Sequence, residues 1–517
     1  MWRNKIDVIP AKGHTVVVDS AVEATCTTIG LTEGSHCSEC NEVFVAQEEI
    51  EKKEHDYVDH VCVDCNFNFY TEGLVFELVD NEYVVTAYNG DDTEVVIPGI
   101  YNGLPVTTIG KNVFYECTSL TSIVIPNTII TIYEYAFAGC TSLTSITIPD
   151  SVTTIGEAAF YCCTSLSSLT FGNSITNIGE YAFCYCYSLK NIVIPKGITS
   201  ITKYTFAYCI SLTSIEIPDT VTTIGEAVFA ECTSLTSIII SDSVTLLDKY
   251  VFYNCDSLTS IVIPDSVTKI GNYAFYNCDS LTTVVIPNGV TTINDYTFIR
   301  CYKLTNVTIP NSVTSIGEEA FHDCDSLTSI TIPDSVTKIG NYAFFKCDSL
   351  TTVKFGNGLK SIGERAFDNC RSLESIILPD GLETIGDYAF YSCCSVTTIV
   401  IPNSVYSIGD YTFADCDKVE YIKLSGSVIE YIRTRSLKSA VITSGYIPSL
   451  AFIHCNSLTT IVIHASVKSI GLQAFRYCSS LETVYYTGSE EDWNAIKIEK
   501  YNDCLLEANI VYNYVAE

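Results

Sequence analysis

Phenylalanine returns every 23 residues, from Phe114 through Phe137, Phe160 and Phe183 to Phe413, without a slip in register. Its neighbours return with it, as in Ser151–Val152–Thr153–Thr154–Ile155–Gly156–Glu157–Ala158–Ala159–Phe160, continued by Tyr161–Cys162–Cys163–Thr164–Ser165–Leu166. A unit this short cannot enclose a core alone. The units must stack into a solenoid in which each buries its apolar face against its neighbours. That constraint overrides the expectation of about three domains for a chain of 517 residues.

Within one unit the pattern predicts local structure. In Leu120–Thr121–Ser122–Ile123–Val124–Ile125, Leu120, Ile123 and Ile125 point inward while Ser122 and Val124 point out, the alternation of a short strand. Pro126 ends it, because proline cannot donate to a ladder, and Asn127 favours a turn. A second extended piece follows, with Val152 and Ile155 of the next unit aimed at the core. Gly156 is expected to let the backbone bend. Glu157–Ala158–Ala159–Phe160 is expected to make roughly one helical turn on the convex side, with Phe160 plugging the interior.

The period breaks after Phe413, since the next phenylalanine at that position is Phe452. Val419, Leu437 and Leu458 nevertheless keep the leucine position at spacings of 18 and 21 residues. Ser436 to Thr443 reads as another strand, so two compressed turns are expected rather than an inserted domain. Starting from Glu94–Ile97, the chain holds roughly 18 strand segments at ~4.8 Å spacing. Residues 70–98 read as a β-hairpin, Leu74 to Leu78 and Tyr83 to Ala87 flanking the turn Val79–Asp80–Asn81–Glu82, placed to close the first exposed core face.

The period, the pattern I-P-[DN]-x-V-T-x-I-G-x-x-A-F-x-x-C-x-S-L and the preceding hairpin resemble the BspA-type leucine-rich-repeat family of bacterial and protist surface proteins, over about residues 70–517. Val484–Tyr485–Tyr486–Thr487–Gly488 and Trp493–Asn494–Ala495–Ile496 look like that family's C-terminal cap. The expected fold is thus an α/β, mostly β, solenoid with a parallel inner sheet. The expected division is a small Cys/His module at 1–69, a hairpin cap at 70–98, the repeat array at 94–486 and a C-terminal cap at 487–517. The resemblance implies a non-enzymatic protein, on the cell surface or secreted, that binds host or microbial proteins.

Cysteine is abundant at 25. Most sit three residues after a repeat phenylalanine: Cys117, Cys140, Cys163 and onward to Cys416, then Cys455 and Cys478. A cysteine fixed to one repeat position acts as a small buried apolar residue, so these thiols report packing and are expected to be reduced and unreactive.

The module at 1–69 lacks the period. His36–Cys37–Ser38–Glu39–Cys40 and Cys62–Val63–Asp64–Cys65 are C-x-x-C turns, each suited to present two thiolates to a tetrahedral zinc. Cys26, Cys37, Cys40 and His55 would complete a Cys₃His set, and His14 in place of His55 would also satisfy the count. Disulfides or degenerate remnants are the alternatives, since a second unit lacks an equivalent of Cys26. The run Ala24 to Gly34 with His36 to Cys40 resembles a Cys/His module of Gram-positive surface proteins. Val8–Ile9–Pro10–Ala11–Lys12–Gly13–His14 parallels Glu49–Ile50–Glu51–Lys52–Lys53–Glu54–His55, so the chain opens on the tail of one unit and is expected to be a fragment, which would account for the missing export signal.

The net charge of −32 argues against nucleic acid or an anionic membrane as partner. No apolar run is long enough to span a bilayer. Enzyme readings fail on inventory: the array has only His322, His454 and His464, and shows no phosphate loop, dinucleotide fingerprint or H-E-x-x-H. No cofactor is expected for the array. A calcium site on the repeated Asp256, Asp279, Asp325 and Asp348 is the weakest reading. The outward strand positions, Ser122, Ser145, Ser168, Ser214, Ser237 and Ser260 beside Val124, Thr147, Thr170, Val262 and Val285, form a flat, nearly uncharged surface suited to a protein ligand. A stalk or spacer displaying another domain is the alternative. The ligand is expected on the compressed turns, residues 406–446. There Lys418, Lys423, Arg433, Arg435 and Lys438 face only Glu420 and Glu430, Tyr421 and Lys423 take the outward strand positions, and Tyr406, Tyr431 and Tyr446 are close in sequence. Tyr and Arg are enriched at binding hot spots.

Overall fold

The computed structural model describes residues 13–25, 28–53, 70–425, 428 and 436–515, with the backbone of 57–58 and 61–62. The fold is a mostly β solenoid of the leucine-rich-repeat type. Each turn supplies a strand to two parallel ladders. Strands such as Ser122–Val124, Ser145–Thr147 and Ser168–Thr170 build the first. Thr131–Ile132, Thr154–Ile155 and Asn177–Ile178 build the second. Pairing is in register, so like meets like: Ser145 opposes Ser168 and Ile146 opposes Leu169. Leu120, Ile123 and Ile125 are buried and Val124 is exposed, as alternation requires.

The segment expected to be helical is not. Ala158 and Cys162 hold φ of 50° and 58°, and the Phe160 N–H donates to Ala182 O of the next turn at 2.8 Å. Left-handed backbone recurs two residues before and two after the core phenylalanines, at Tyr181 and Tyr185, Tyr204 and Tyr208, Tyr250 and Asn254. None of these is β-branched, the class that this conformation penalises most. A helical turn would satisfy its donors locally; here they bond the following turn, tying successive units together on a third side. Among the described residues, helix is confined to Glu490–Asn494 and Asp503–Glu507. Gly156 also differs from expectation. Its φ is not left-handed, and the constraint is space, since a Cβ would lie 2.5 Å from Glu134 N of the preceding turn.

The core is a column of stacked rings. Phe114 and Phe137 lie 5.0 Å apart at 6°, and the column continues to Phe390 and Phe413 at 5.7 Å and 5°. Beside it the cysteines form a second column. From Cys140 to Cys416, and again at Cys478, the thiol reaches the phenylalanine carbonyl of the preceding turn, as Cys140 Sγ does to Phe114 O at 3.1 Å and Cys278 Sγ to Phe252 O at 3.2 Å. The position thus suits a small apolar side chain carrying a weak donor. Cys117 departs from the expectation of a uniformly buried column. It is half-buried because no earlier turn of the array covers it.

Both ends of the column are closed. Leu74–Val79 and Glu82–Tyr88 pair antiparallel around a two-residue turn, Asp80–Asn81, with φ of 51° and 65°, tighter than expected. The second strand pairs with Leu104–Ile109, and the Tyr88 ring sits 5.3 Å from Phe114. At the other end Asn502 is buried. Its Oδ1 accepts from Phe475 N at 2.9 Å and its Nδ2 donates to Gly471 O at 3.0 Å. One side chain replaces the turn that would have come next. Asn509–Val511 adds a further parallel strand against Thr483–Tyr486.

The compressed turns are present as expected. Tyr421–Leu424 pairs in parallel with Ser439–Ile442, which pairs with Thr460–Ile463. The phenylalanine column skips this place and resumes with Phe452 and Phe475, 4.9 Å apart.

Phe298 lies 5.2 Å from Phe275 and 5.3 Å from Phe321. Phe298→Ala should cost about 3–5 kcal/mol through the gap it opens, measured by urea denaturation against an exposed-site control. Burial raises thiols of the column such as Cys163, Cys186 and Cys209 well above their ordinary range, and Cys455 and Cys478 to about 12. Among the repeat cysteines, alkylation of the folded protein at pH 8 should therefore be confined to exposed Cys394 and half-buried Cys117, Cys162 and Cys504. The column should react only after unfolding, a difference that mass mapping of the labelled residues reads directly.

Candidate binding surfaces and metal group

The first ladder presents one face to solvent. Its threonines complete a hydroxyl column: Thr282 Oγ1 donates to Thr259 O at 3.2 Å and Thr305 Oγ1 to Thr282 O at 3.1 Å. Beside them stand bare β-branched side chains, Val193 and Val262 about four-fifths exposed (81% and 80%), with Ile239 and Val285 exposed between and beyond them. Parallel in-register pairing forces this, because one outward residue per turn must line up with its neighbours. The result is an apolar stripe of Ile239, Val262 and Val285, set apart from Val193 by the outward Glu216, on a chain whose net charge is −32.

At the compressed turns Tyr421 and Lys423 take the two outward positions, opposite Thr398 and Val400 on one side and Ser439 and Val441 on the other. Lys423 is exposed and Tyr421 half-buried. Tyr406 is 73% exposed, but it precedes Ser407–Ile408 of the second ladder, a different sheet. Lys438 is engaged with Glu420, Nζ to Oε1 at 2.7 Å. Arg433, Arg435 and Tyr431 lie outside the described residues. The charge argument for this stretch needs correction as well. Asp410, Asp415 and Asp417 precede the cations, so residues 406–446 are balanced rather than basic.

The array histidines are engaged locally. His322 Nδ1 meets Glu319 Oε2 at 2.7 Å, His454 stacks on Tyr477 at 4.6 Å, and His464 Nδ1 meets Ser466 Oγ at 2.8 Å. Burial holds the carboxyls of Asp256, Asp279 and Asp325 above the usual range. These aspartates do not converge. Among the described residues, the one group of three or more His, Cys or acidic side chains with ligand atoms within 4.8 Å of one another is His14, Cys37 and Cys40.

That group stands on a three-stranded antiparallel sheet. Val16–Asp19 pairs with Gly34–Cys37, which pairs with Val43–Val45. The first pairing sets Val16, two residues after His14, opposite Cys37. The turn Ser38–Asn41 returns Cys40, and Asn41 at its end holds φ of 57°. His14 Nδ1 lies 3.4 Å from Cys40 Sγ, close to the ~3.5 Å between N and S ligands of a tetrahedral zinc. The Glu39 backbone N–H, with help from His14, pulls the Cys37 thiol down to about 6. At Cys40 the Glu42 backbone N–H favours the thiolate, but the adjacent Cys37 outweighs it and the thiol sits above its ordinary value. Cys37 and Cys40 are free thiols. The structure therefore supplies His14, the alternative to His55. Cys26, His55 and the side chains of Cys62 and Cys65 lie outside the described residues.

The profile of the BspA-type leucine-rich-repeat region, in six copies, matches residues 107–235, 199–328, 314–443 and 436–512. The chain belongs to this family. A leucine-rich-repeat protein of Bacteroides ovatus is 31% identical, with the match covering 71% of this BspA-type chain and 96% of the other, at a TM-score of 0.65. A leucine-rich cell surface protein of Faecalibacterium prausnitzii is 28% identical over 83% of this chain and 97% of its own, at a TM-score of 0.42. No curated protein matches the chain significantly. No helix among the described residues is long and apolar enough to cross a membrane.

Proposed function

We propose that this BspA-type chain is a non-enzymatic, protein-binding scaffold of the bacterial cell surface, secreted or surface-held. The observation that carries the reading is the solvent face of the first ladder. Val193, Ile239, Val262 and Val285 expose large apolar side chains on that face, a state that a protein partner would relieve. Family membership and the resemblance of residues 24–40 to a surface-protein module support the location. The footprint centres on Tyr421 and Lys423, with Arg433, Arg435 and Lys438 as flanking contacts. A spacer role is the alternative that the uniform turns allow. Purified residues 70–517 should capture a protein from host-matrix or bacterial-surface extracts. Lys423→Ala and Arg433→Ala should each weaken that complex by about 1–3 kcal/mol, with little loss of stability. Capture unaltered in the double variant would move the footprint elsewhere, and no capture would favour the spacer.

The N-terminal module, in the same proposal, holds a structural zinc on Cys37, Cys40 and His14, with Cys26 or His55 as the fourth ligand. The contraction of three soft or borderline donors around one point supports this, as does a thiol pulled down to about 6. Metal analysis of the purified chain should find one zinc per module. Cys37→Ser or Cys40→Ser should abolish it, and affinity should fall on acidification as the thiolates and imidazole take up protons. A Cys37–Cys40 disulfide in the isolated protein would contradict the assignment.

A further inference from the structure

The turn side carries its own aromatic columns. Two residues before the core phenylalanines, Tyr181 stacks on Tyr204 at 5.0 Å and 10°. Further along, Tyr250, Tyr273 and Tyr296 stack at 5.0 and 4.4 Å. The two stacks are not joined, because the intervening position is Ala227. Ala158 is also small, but is followed three residues on by Tyr161, and Glu319 by His322; Ala227 is followed by Ala230. Glu231 then stands where the two preceding turns carry Tyr185 and Tyr208. One turn thus drops its rings. It leaves a 220 Å³ pocket with Ala227 and Ala230 as floor, Tyr204 and Tyr208 on one side, Tyr250 and Tyr253 on the other, and Glu231 among the lining residues.

Elsewhere the same column shows what can replace a tyrosine. Between the turns of Tyr342 and Tyr388 the position is Arg365. Its guanidinium carbon lies 4.3 Å from the Tyr388 ring centroid, and its Nη1 donates to Asp368 Oδ2 at 2.7 Å, on a fully buried carboxylate. A planar cation there takes the place of a ring, held by one tyrosine face and one acid. Lys203 Nζ, 5.6 Å from the Tyr204 ring, shows the same attraction at the edge of the pocket.

We propose that the Ala227 pocket binds a guanidinium, the side chain of an arginine presented by a partner protein. Tyrosine faces carry negative electrostatic potential and attract cations, and a guanidinium stacks flat on them while its forked donors reach acceptors at the rim. One acceptor awaits: Glu231, among the lining residues, supplies a carboxylate, which Asn254 Nδ2 holds by donating to its Oε1 at 2.7 Å. The acidity of the whole chain draws a cation in. The proposal rests on the protein-binding reading only for the source of the arginine. It concerns a different side of the solenoid from Tyr421 and Lys423, so either can fail alone.

The test uses the full chain and the peptide acetyl-Gly-Arg-Gly-amide, followed by saturation-transfer NMR, beside the same peptide with citrulline, which is planar but neutral. The arginine peptide should bind saturably and the citrulline peptide at least about tenfold more weakly. Ala227→Tyr should abolish binding while leaving the fold intact, because tyrosine already occupies this position at φ of 55–60° in turns such as those of Tyr204 and Tyr250. Glu231→Gln should weaken binding about tenfold. Absence of saturable binding to the unaltered chain, equal binding of the citrulline peptide, or undiminished binding by the Ala227→Tyr variant would each overturn the assignment.

Discussion

Contact between successive turns is the constraint on which everything else depends. No unit of 23 residues can bury Phe298 by itself; the ring is covered only because Phe275 and Phe321 lie 5.2 and 5.3 Å away. The same dependence governs the backbone. Two ladders and the turn-side bonds, such as Phe160 N–H to Ala182 O, all run between turns, so each unit's polar groups are satisfied by its neighbours. A solenoid of this kind has nearest-neighbour energetics and two vulnerable ends. The end devices follow from that. Tyr88 covers the first ring, and Asn502 supplies the acceptor and donor that a missing turn would have given.

Strict stacking also explains where binding chemistry can arise. A residue that varies at an inward position opens a gap in the core, whereas one that varies at an outward position alters only a column on the surface. The first-ladder face and the turn-side tyrosine column are two such surfaces. They differ in character. The strand face is flat, with hydroxyls bonded to the carbonyls of the previous turn and apolar side chains left bare. The turn side is built on left-handed backbone, which excludes β-branched residues and admits tyrosine, asparagine, arginine and alanine. Substitution there changes shape as well as charge, and the pocket over Ala227 forms on that side.

Much of this was legible before any coordinates. The phenylalanine period, the inward Leu–Ile–Ile pattern, the proline stops and the leucine spacing through the compressed turns all depend on burial repeating in sequence, and burial is what amino-acid type encodes. The hairpin at Leu74–Val79 and Glu82–Tyr88 was visible for the same reason. The helical turn at Glu157 to Phe160 was misread because Glu, Ala and Ala favour helix locally, while the hydrogen bonds that decide the matter go to another unit. The role of Gly156 was misread likewise, since its constraint is the Glu134 backbone of the turn before.

The sequence by itself determined the solenoid, its repeat length and which side chains face inward, because each of these follows from a pattern confined to one unit. Only the tertiary structure decided which residues meet. It placed His14 beside Cys37 and Cys40, seated Tyr406 on a different sheet from Tyr421, engaged Lys438 with Glu420, and left a pocket over Ala227 between tyrosines of the flanking turns. Those outcomes depend on distances between residues remote in sequence, and no local pattern records such distances.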